Sequence, residues 1–181
     1  MSKAVMISIH PKWCKKILSG EKTIEVRKTR PKLDTPFKCY IYCTQSGVAL
    51  GAWGKHGKVI GEFTCDRIYK IDKDSTGFLF KAGGLSVYKQ AAEEKCDLRV
   101  AMTDDELHGY LGHYQGHGWH ISNLKIYDTP KELIEFHTWK KCKSCSKSGY
   151  ESTACIYDEN CMIPAAITKA PQSWCYVEAM K

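Results

Sequence analysis

Apolar positions along the chain follow two periods, and the switches between them mark its elements. Ala4 to Ser8 is a strand-sized apolar run, and His10-Pro11 then opens a stretch in which Trp13, Ile17 and Leu18 fall near one face of a helix. Pro11 suits a first helical turn. Gly20 supplies the left-handed residue that commonly ends a helix, so this one is expected to stop at Ser19 or Gly20. From Lys22 to Lys28, Thr23, Ile24 and Val26 interleave with Glu25 and Arg27 in the pattern of a half-buried strand, which Arg30-Pro31 ends. Phe37 to Thr44 and Val59 to Ile68 read as two further strands, separated by a loop carrying Gly47, Gly51, Gly54 and Gly57.

Beyond residue 72 the signals thin. Leu85 to Cys96 is expected to be a helix with Val87, Ala91 and Ala92 inward. Thr103-Asp104-Asp105-Glu106 has the spacing of a capping box, followed by Leu107, Tyr110 and Leu111 at helical intervals. His117 to Tyr127 reads as a strand around Trp119, Ile121, Leu124 and Ile126, with a bulge at Ser122-Asn123. Pro130 to Phe136 is expected to be a short helix, and Pro171 to Val177 a last strand that closes the sheet. Strands separated by short helices without strict βαβ alternation predict an α+β domain or small barrel. The glycines lack the spacing and context of a dinucleotide or P-loop motif.

Composition changes this picture only in places. The 181 residues suit one compact domain, with 43% hydrophobic and 26% charged residues as in ordinary folded proteins. No stretch approaches the roughly 20 apolar residues of a spanning helix, and Ala4 to Ile9 is too short for a secretory signal, so the expected compartment is the cytoplasm, with no membrane. A net charge of +7 favours anionic partners, phosphates first, or else serves solubility alone. The ten cysteines, without a signal peptide, point to metal ligands and buried thiols rather than to a disulfide framework.

The most informative stretch is Gly20-Glu21-Lys22-Thr23-Ile24-Glu25-Val26-Arg27, a turn feeding a charged strand. The strand period puts Thr23, Glu25 and Arg27 on one face and Ile24 and Val26 on the other. Lys22 belongs formally with the apolar face, but at the strand's start its side chain can bend toward Glu25. In a cleft, Arg27 would offer a planar fork to a phosphate or base edge, Lys22 a compact charge and Glu25 an acceptor for an amino group. The alternative is an exposed cross-strand salt-bridge face.

The Gly-x-Lys-x-x-Glu-x-Arg pattern after a short N-terminal helix resembles the signature of the ASCH domain family, within the PUA-like superfamily. Trp119-His120-Ile121-Ser122-Asn123-Leu124-Lys125-Ile126-Tyr127 and Gln172-Ser173-Trp174-Cys175-Tyr176-Val177 are similar to later strands of its phage and bacterial members, so the resemblance spans residues 4–128 and 171–178. It implies a PUA-like small β-barrel with flanking short helices, formed by residues 1–136 and 166–181, and a cysteine-rich insertion at 137–165. It also implies a cleft lined by Lys22, Glu25 and Arg27 that recognises RNA, single-stranded nucleic acid or a modified nucleotide. Relatives include nucleases and an amidohydrolase that deacylates N4-acetylcytidine with a Lys, a Thr and a Glu. Lys22 matches the first of these, Glu25 replaces the Thr, and Thr23 is one position off the required face. If the chain is an enzyme, Lys22 and Glu25 are its catalytic candidates, with Glu25 polarising a water. A protein-interaction module is the third alternative.

Cys142-x2-Cys145-x9-Cys155-x5-Cys161 sets four thiolates within one polar segment, a ligand set for one structural Zn²⁺, with free thiols or a disulfide as alternatives. His113 and His117, among glycines, are expected in a mobile loop over the cleft, and His120 is either a ligand contact or a hydrogen-bonded histidine of the barrel. Trp53 is the candidate stacking residue, whereas Trp13, Trp119 and Trp174 are expected in the core.

Overall fold

The computed structural model describes residues 3–45, 56–95, 98–112, 115–141 and 162–180. Its first strand, β1 (Lys3–Ile9), pairs antiparallel with β12 (Trp174–Glu178) and parallel with β3 (Phe37–Cys43). Both faces of β1 are covered. Val5, Ile7 and Ile9 pack with Cys39, Ile41, Ile60 and Trp119, while Ala4 and Met6 pack with Tyr40, Val59 and Phe136. Burial on both faces is why the sequence there is a continuous apolar run rather than an alternating one. A parallel pair needs a crossover, and the crossover from β1 to β3 carries α1 (Pro11–Leu18) and β2 (Ile24–Arg27).

The first sheet runs β12-β1-β3-β4-β9, with β4 at Lys58–Cys65 and β9 at Ser122–Lys131. The second runs β2-β8-β5-β6-β7, with β5 at Ile68–Asp74, β6 at Gly77–Ala82, β7 at Leu85–Tyr88 and β8 at Gly116–His120. Helices α2 (Lys89–Lys95) and α3 (Asp104–Leu111) supply Ala92, Leu107 and Leu111 to the core on Ile24, Val26, Tyr69 and Phe80. A separate ribbon pairs β10 (His137–Lys141) with β11 (Met162–Ala166). The α+β class holds, but the expected barrel does not close. On the free edge of β2, Thr23 N and Ile24 N both donate to Arg99 O, at 2.8 and 3.0 Å, so a non-strand segment occupies donors that a closing strand would need.

Several element boundaries differ from the sequence reading, each for a local reason. The helix expected over residues 85–96 begins only at Lys89, because Gly83 and Gly84, at φ 54° and 84°, turn β6 back into β7 and pair Ala82 with Leu85. The strand expected from Val59 to Ile68 breaks at Asp66-Arg67, where Arg67 O instead accepts from His120 N at 2.9 Å. The strand expected from His117 to Tyr127 divides at Ile121 and passes from one sheet to the other, helped by Asn123 at φ 48°. In place of a helix over 130–136, β9 continues through Pro130, where the β4–β9 register shifts, and only Leu133–Glu135 form a 3-10 turn. Leu133 packs on the core from there. His117 lies in β8, paired with Arg27 and Lys70, rather than in a mobile loop. Among the described residues no helix is long and apolar enough to cross a membrane.

Candidate functional site

A cleft of about 240 Å³ opens where α1, β2, the segment before α3 and the ends of β1 and β3 meet. Local sequence builds each wall. His10 caps α1, its Nδ1 accepting from Lys12 N at 3.2 Å, and so turns Trp13 onto the cleft. The reciprocal Thr103–Glu106 capping box starts α3 and sets Tyr110 on the cleft. The carboxylate of Glu106 also pairs with Lys12, so the cap of α3 is tied to the first turn of α1.

Lys22, Glu25 and Arg27 form the floor, at 2%, 5% and 7% exposure. That burial rejects the exposed salt-bridge face. Period two places Glu25 and Arg27 together, with Arg27 Nη2 at 3.0 Å from Glu25 Oε1. Lys22 precedes the strand and reaches over to sit 3.6 Å from Glu25 Oε2. Backbone carbonyls take further protons: Lys22 Nζ donates to Val100 O at 2.7 Å, and Arg27 Nη2 to Ser8 O at 2.6 Å. Ala101, at φ 57°, follows directly, and its carbonyl accepts from Lys16 Nζ at 3.0 Å. This left-handed alanine turns consecutive carbonyls toward two lysines, a strained backbone at the rim of the site.

Burial lowers Lys22 from its ordinary pKa of 10.5; Glu25 opposes the shift and Arg27 reinforces it. The sign follows from proton counting. Between the lowered folded value and 10.5 the unfolded chain binds more protons, so stability rises with pH there and is lost as pH falls through the folded value. The wild type should therefore gain stability relative to Lys22→Met as pH rises from neutral toward about 10, measured by urea denaturation at each pH. A pH-independent difference between the two proteins contradicts a lowered Lys22.

Other candidates fall elsewhere. Thr23 precedes the strand and turns its hydroxyl to Arg99 N, which donates to Oγ1 at 2.8 Å. His120 lies outside the cleft lining, with Nδ1 at 2.7 Å from Asp66 Oδ1, so it takes the hydrogen-bonded role. Trp53, His113, Cys142, Cys145, Cys155 and Cys161 lie outside the described residues. Among the described residues no cluster of three or more His, Cys, Asp or Glu is arranged to hold a metal.

The described cysteines behave as packing thiols. Cys14, Cys39, Cys43 and Cys65 are buried and unbridged, and burial pushes the Cys65 thiol up to about 12. Trp119 is fully buried and Trp174 packs against the same core, as expected. Trp13, half-buried, packs on that core too and in addition lines the cleft, with Lys22 Nζ 5.2 Å and Lys12 Nζ 4.4 Å from its ring centroid. Sequence reasoning missed Ser8, His10, Tyr110 and Gln172 on the cleft. The signal available for Trp13 was its position one turn ahead of Ile17, beside the helix cap.

No protein-family profile matches the chain. No curated protein matches it either. Solved structures do. A tyrosine-to-phenylalanine variant of the ASCH protein of Zymomonas mobilis aligns over 73% of this chain and 77% of its own, at 18% identity and a TM-score of 0.50. The unsubstituted ASCH protein of Zymomonas mobilis aligns over 72% and 73%, at 18% identity and a TM-score of 0.49. With the Lys22, Glu25 and Arg27 strand set beside the N-terminal helix and the likeness covering most of both chains, this protein has the ASCH fold.

Proposed function

We propose that the chain is an ASCH-type binding module that takes RNA, single-stranded nucleic acid or a modified nucleotide in the cleft floored by Lys22, Glu25 and Arg27. One observation carries this reading. Three ionisable side chains, each more than nine-tenths buried, meet at the bottom of an open cleft bordered by Trp13 and Tyr110. Burying three such groups is expensive, and packing alone does not require it. Aromatic walls over a polar floor suit a base that stacks and is read at its edge. The net charge of +7 adds attraction for the phosphate backbone. Titration of a labelled single-stranded RNA should give an affinity that falls steeply with salt. Arg27→Ala should weaken it; unchanged affinity in a folded Arg27→Ala protein rejects the assigned site.

Hydrolysis of an N-acylated nucleoside is the second reading, favoured by the lowered Lys22 beside a carboxylate. With Thr23 bonded to Arg99 N and no hydroxyl at position 25, the nucleophile would be water. Incubation with N4-acetylcytidine tests it. Acetate release that disappears in Glu25→Ala supports hydrolysis, and no release by the wild type rejects it.

We also propose that residues 137–165 are a zinc-binding insertion, with Cys142, Cys145, Cys155 and Cys161 as ligands of one structural ion. Native mass spectrometry after metal-replete expression should find about one zinc per chain, lost in Cys142→Ser. Its absence from the wild type contradicts the assignment.

A further inference from the structure

We infer that the floor of the cleft reads the edge of an uncharged planar heterocycle, a nucleobase, and is not a phosphate site. The inference rests on the nucleic-acid reading above and narrows it. Phosphate binding needs positive charge that is not already balanced within the protein. Here both cationic heads are paired with one carboxylate: Arg27 Nη2 serves Glu25 Oε1 and Ser8 O, and Lys22 Nζ serves Val100 O and lies against Glu25 Oε2. The carboxylate of Glu25 sits between the two positive heads and offsets one of them. Burial lowers the pKa of Lys22, so its charged form is held less firmly than that of an exposed lysine.

What the floor offers instead is a matched pair of groups. Among the described residues lining the cleft, the buried side-chain polar atoms without a hydrogen-bond partner are Glu25 Oε2, an acceptor that Lys22 Nζ approaches only to 3.6 Å, and Arg27 Nε, a donor. Buried polar atoms that make no hydrogen bond are rare in folded proteins and call for a cause. These two belong to residues i and i+2 on one face of β2. Their complement is a ligand with a hydrogen-bond donor beside an acceptor. A phosphodiester or a phosphate monoester dianion has acceptors but no donor for Glu25, and the charge of either, or of inorganic phosphate, would meet that carboxylate. Every nucleobase carries an N–H next to a ring nitrogen or carbonyl oxygen, and is flat enough to lie against Trp13. The size of the cleft agrees: about 240 Å³ is below the roughly 300 Å³ at which pockets for drug-sized ligands begin, which suits a single base. Phosphates of a longer strand would then lie outside the floor, on the basic surface.

Calorimetric titration of the full chain tests this with adenosine, cytidine, guanosine and uridine, their 5′-monophosphates, ribose 5-phosphate, inorganic phosphate and a mixed-sequence single-stranded RNA. Each is titrated at about 50 and about 200 mM salt. At least one nucleoside should bind within about threefold of its monophosphate and change by less than about threefold between the two salts, while the RNA weakens far more. Neither ribose 5-phosphate nor inorganic phosphate should displace that nucleoside. Arg27→Lys, which keeps the charge and loses the Nε donor, should weaken the nucleoside by at least about tenfold. Displacement by either phosphate, a monophosphate more than about tenfold tighter than its nucleoside, or RNA binding with no nucleoside bound overturns the base-edge inference and leaves nucleic-acid binding standing. If neither RNA nor any nucleoside binds, both readings fall.

Discussion

Glu25→Ala is expected to lower the unfolding free energy by about 3 to 5 kcal/mol, the cost of removing one partner from a buried ion pair. For a chain of this length that is a fall in Tm of about 6 to 20 °C. The loss is large because Glu25 is the shared counter-charge of two buried cations, 3.0 Å from Arg27 Nη2 and 3.6 Å from Lys22 Nζ. Each cation retains its carbonyl partner, Ser8 O or Val100 O, but a carbonyl dipole does not replace a carboxylate. Lys22, already lowered by burial, then has no carboxylate to support its charge and deprotonates more readily. The damage should therefore shrink as pH rises through the Lys22 titration, because the proton that costs most is shed. Urea denaturation of wild type and variant across pH measures both effects. A loss under about 1 kcal/mol would place the triad with ordinary surface ion pairs.

Trp13→Ala should weaken single-stranded RNA by about 1 to 3 kcal/mol, the usual worth of one base stacked on an aromatic side chain. That is roughly 5- to 150-fold in Kd. Trp13 is set for this role by its helix: His10 caps the first turn, and the ring meets the cleft beside Lys22. Lys12 and Lys16 also lie over the ring, so a base takes a surface already flanked by positive charge. Trp13→Phe, which keeps an aromatic face, should restore much of the affinity. If Trp13→Ala binds RNA like the wild type while remaining folded, stacking at this wall is excluded.

The charged strand was legible in the sequence because strand geometry is regular. Once Ile24 and Val26 face the core on α3, Glu25 and Arg27 must share the opposite face. Lys22 was readable for the same reason, as a residue at a strand's start with a long side chain. The opposite wall was not readable, since it depends on chain segments far away in sequence. Val100 O reaches Lys22 from 78 positions along the chain, and Tyr110 arrives on a helix whose cap is tied to Lys12. The same distinction explains the elements. The first helix, with its proline and glycine at the ends, ran from Pro11 to Leu18 as expected. The β6–β7 hairpin was missed because apolar Val87 and Ala91 mimic a helical face, and the Gly83-Gly84 turn carried the stronger signal. The open sheets were hidden for a tertiary reason, as the capping of the β2 edge by Arg99 O joins residues 75 or more positions apart.

The central claim is that the cleft over Lys22, Glu25 and Arg27 is where nucleic acid binds. Amide and indole chemical-shift mapping of ¹⁵N-labelled protein titrated with a mixed-sequence single-stranded RNA tests it most directly. The account predicts that the amides of residues 22–27 and 100–102 and the indole of Trp13 move together and saturate at one affinity. Shifts confined to other surfaces, or none at RNA concentrations up to about 1 mM, the weak limit of specific recognition, would contradict it.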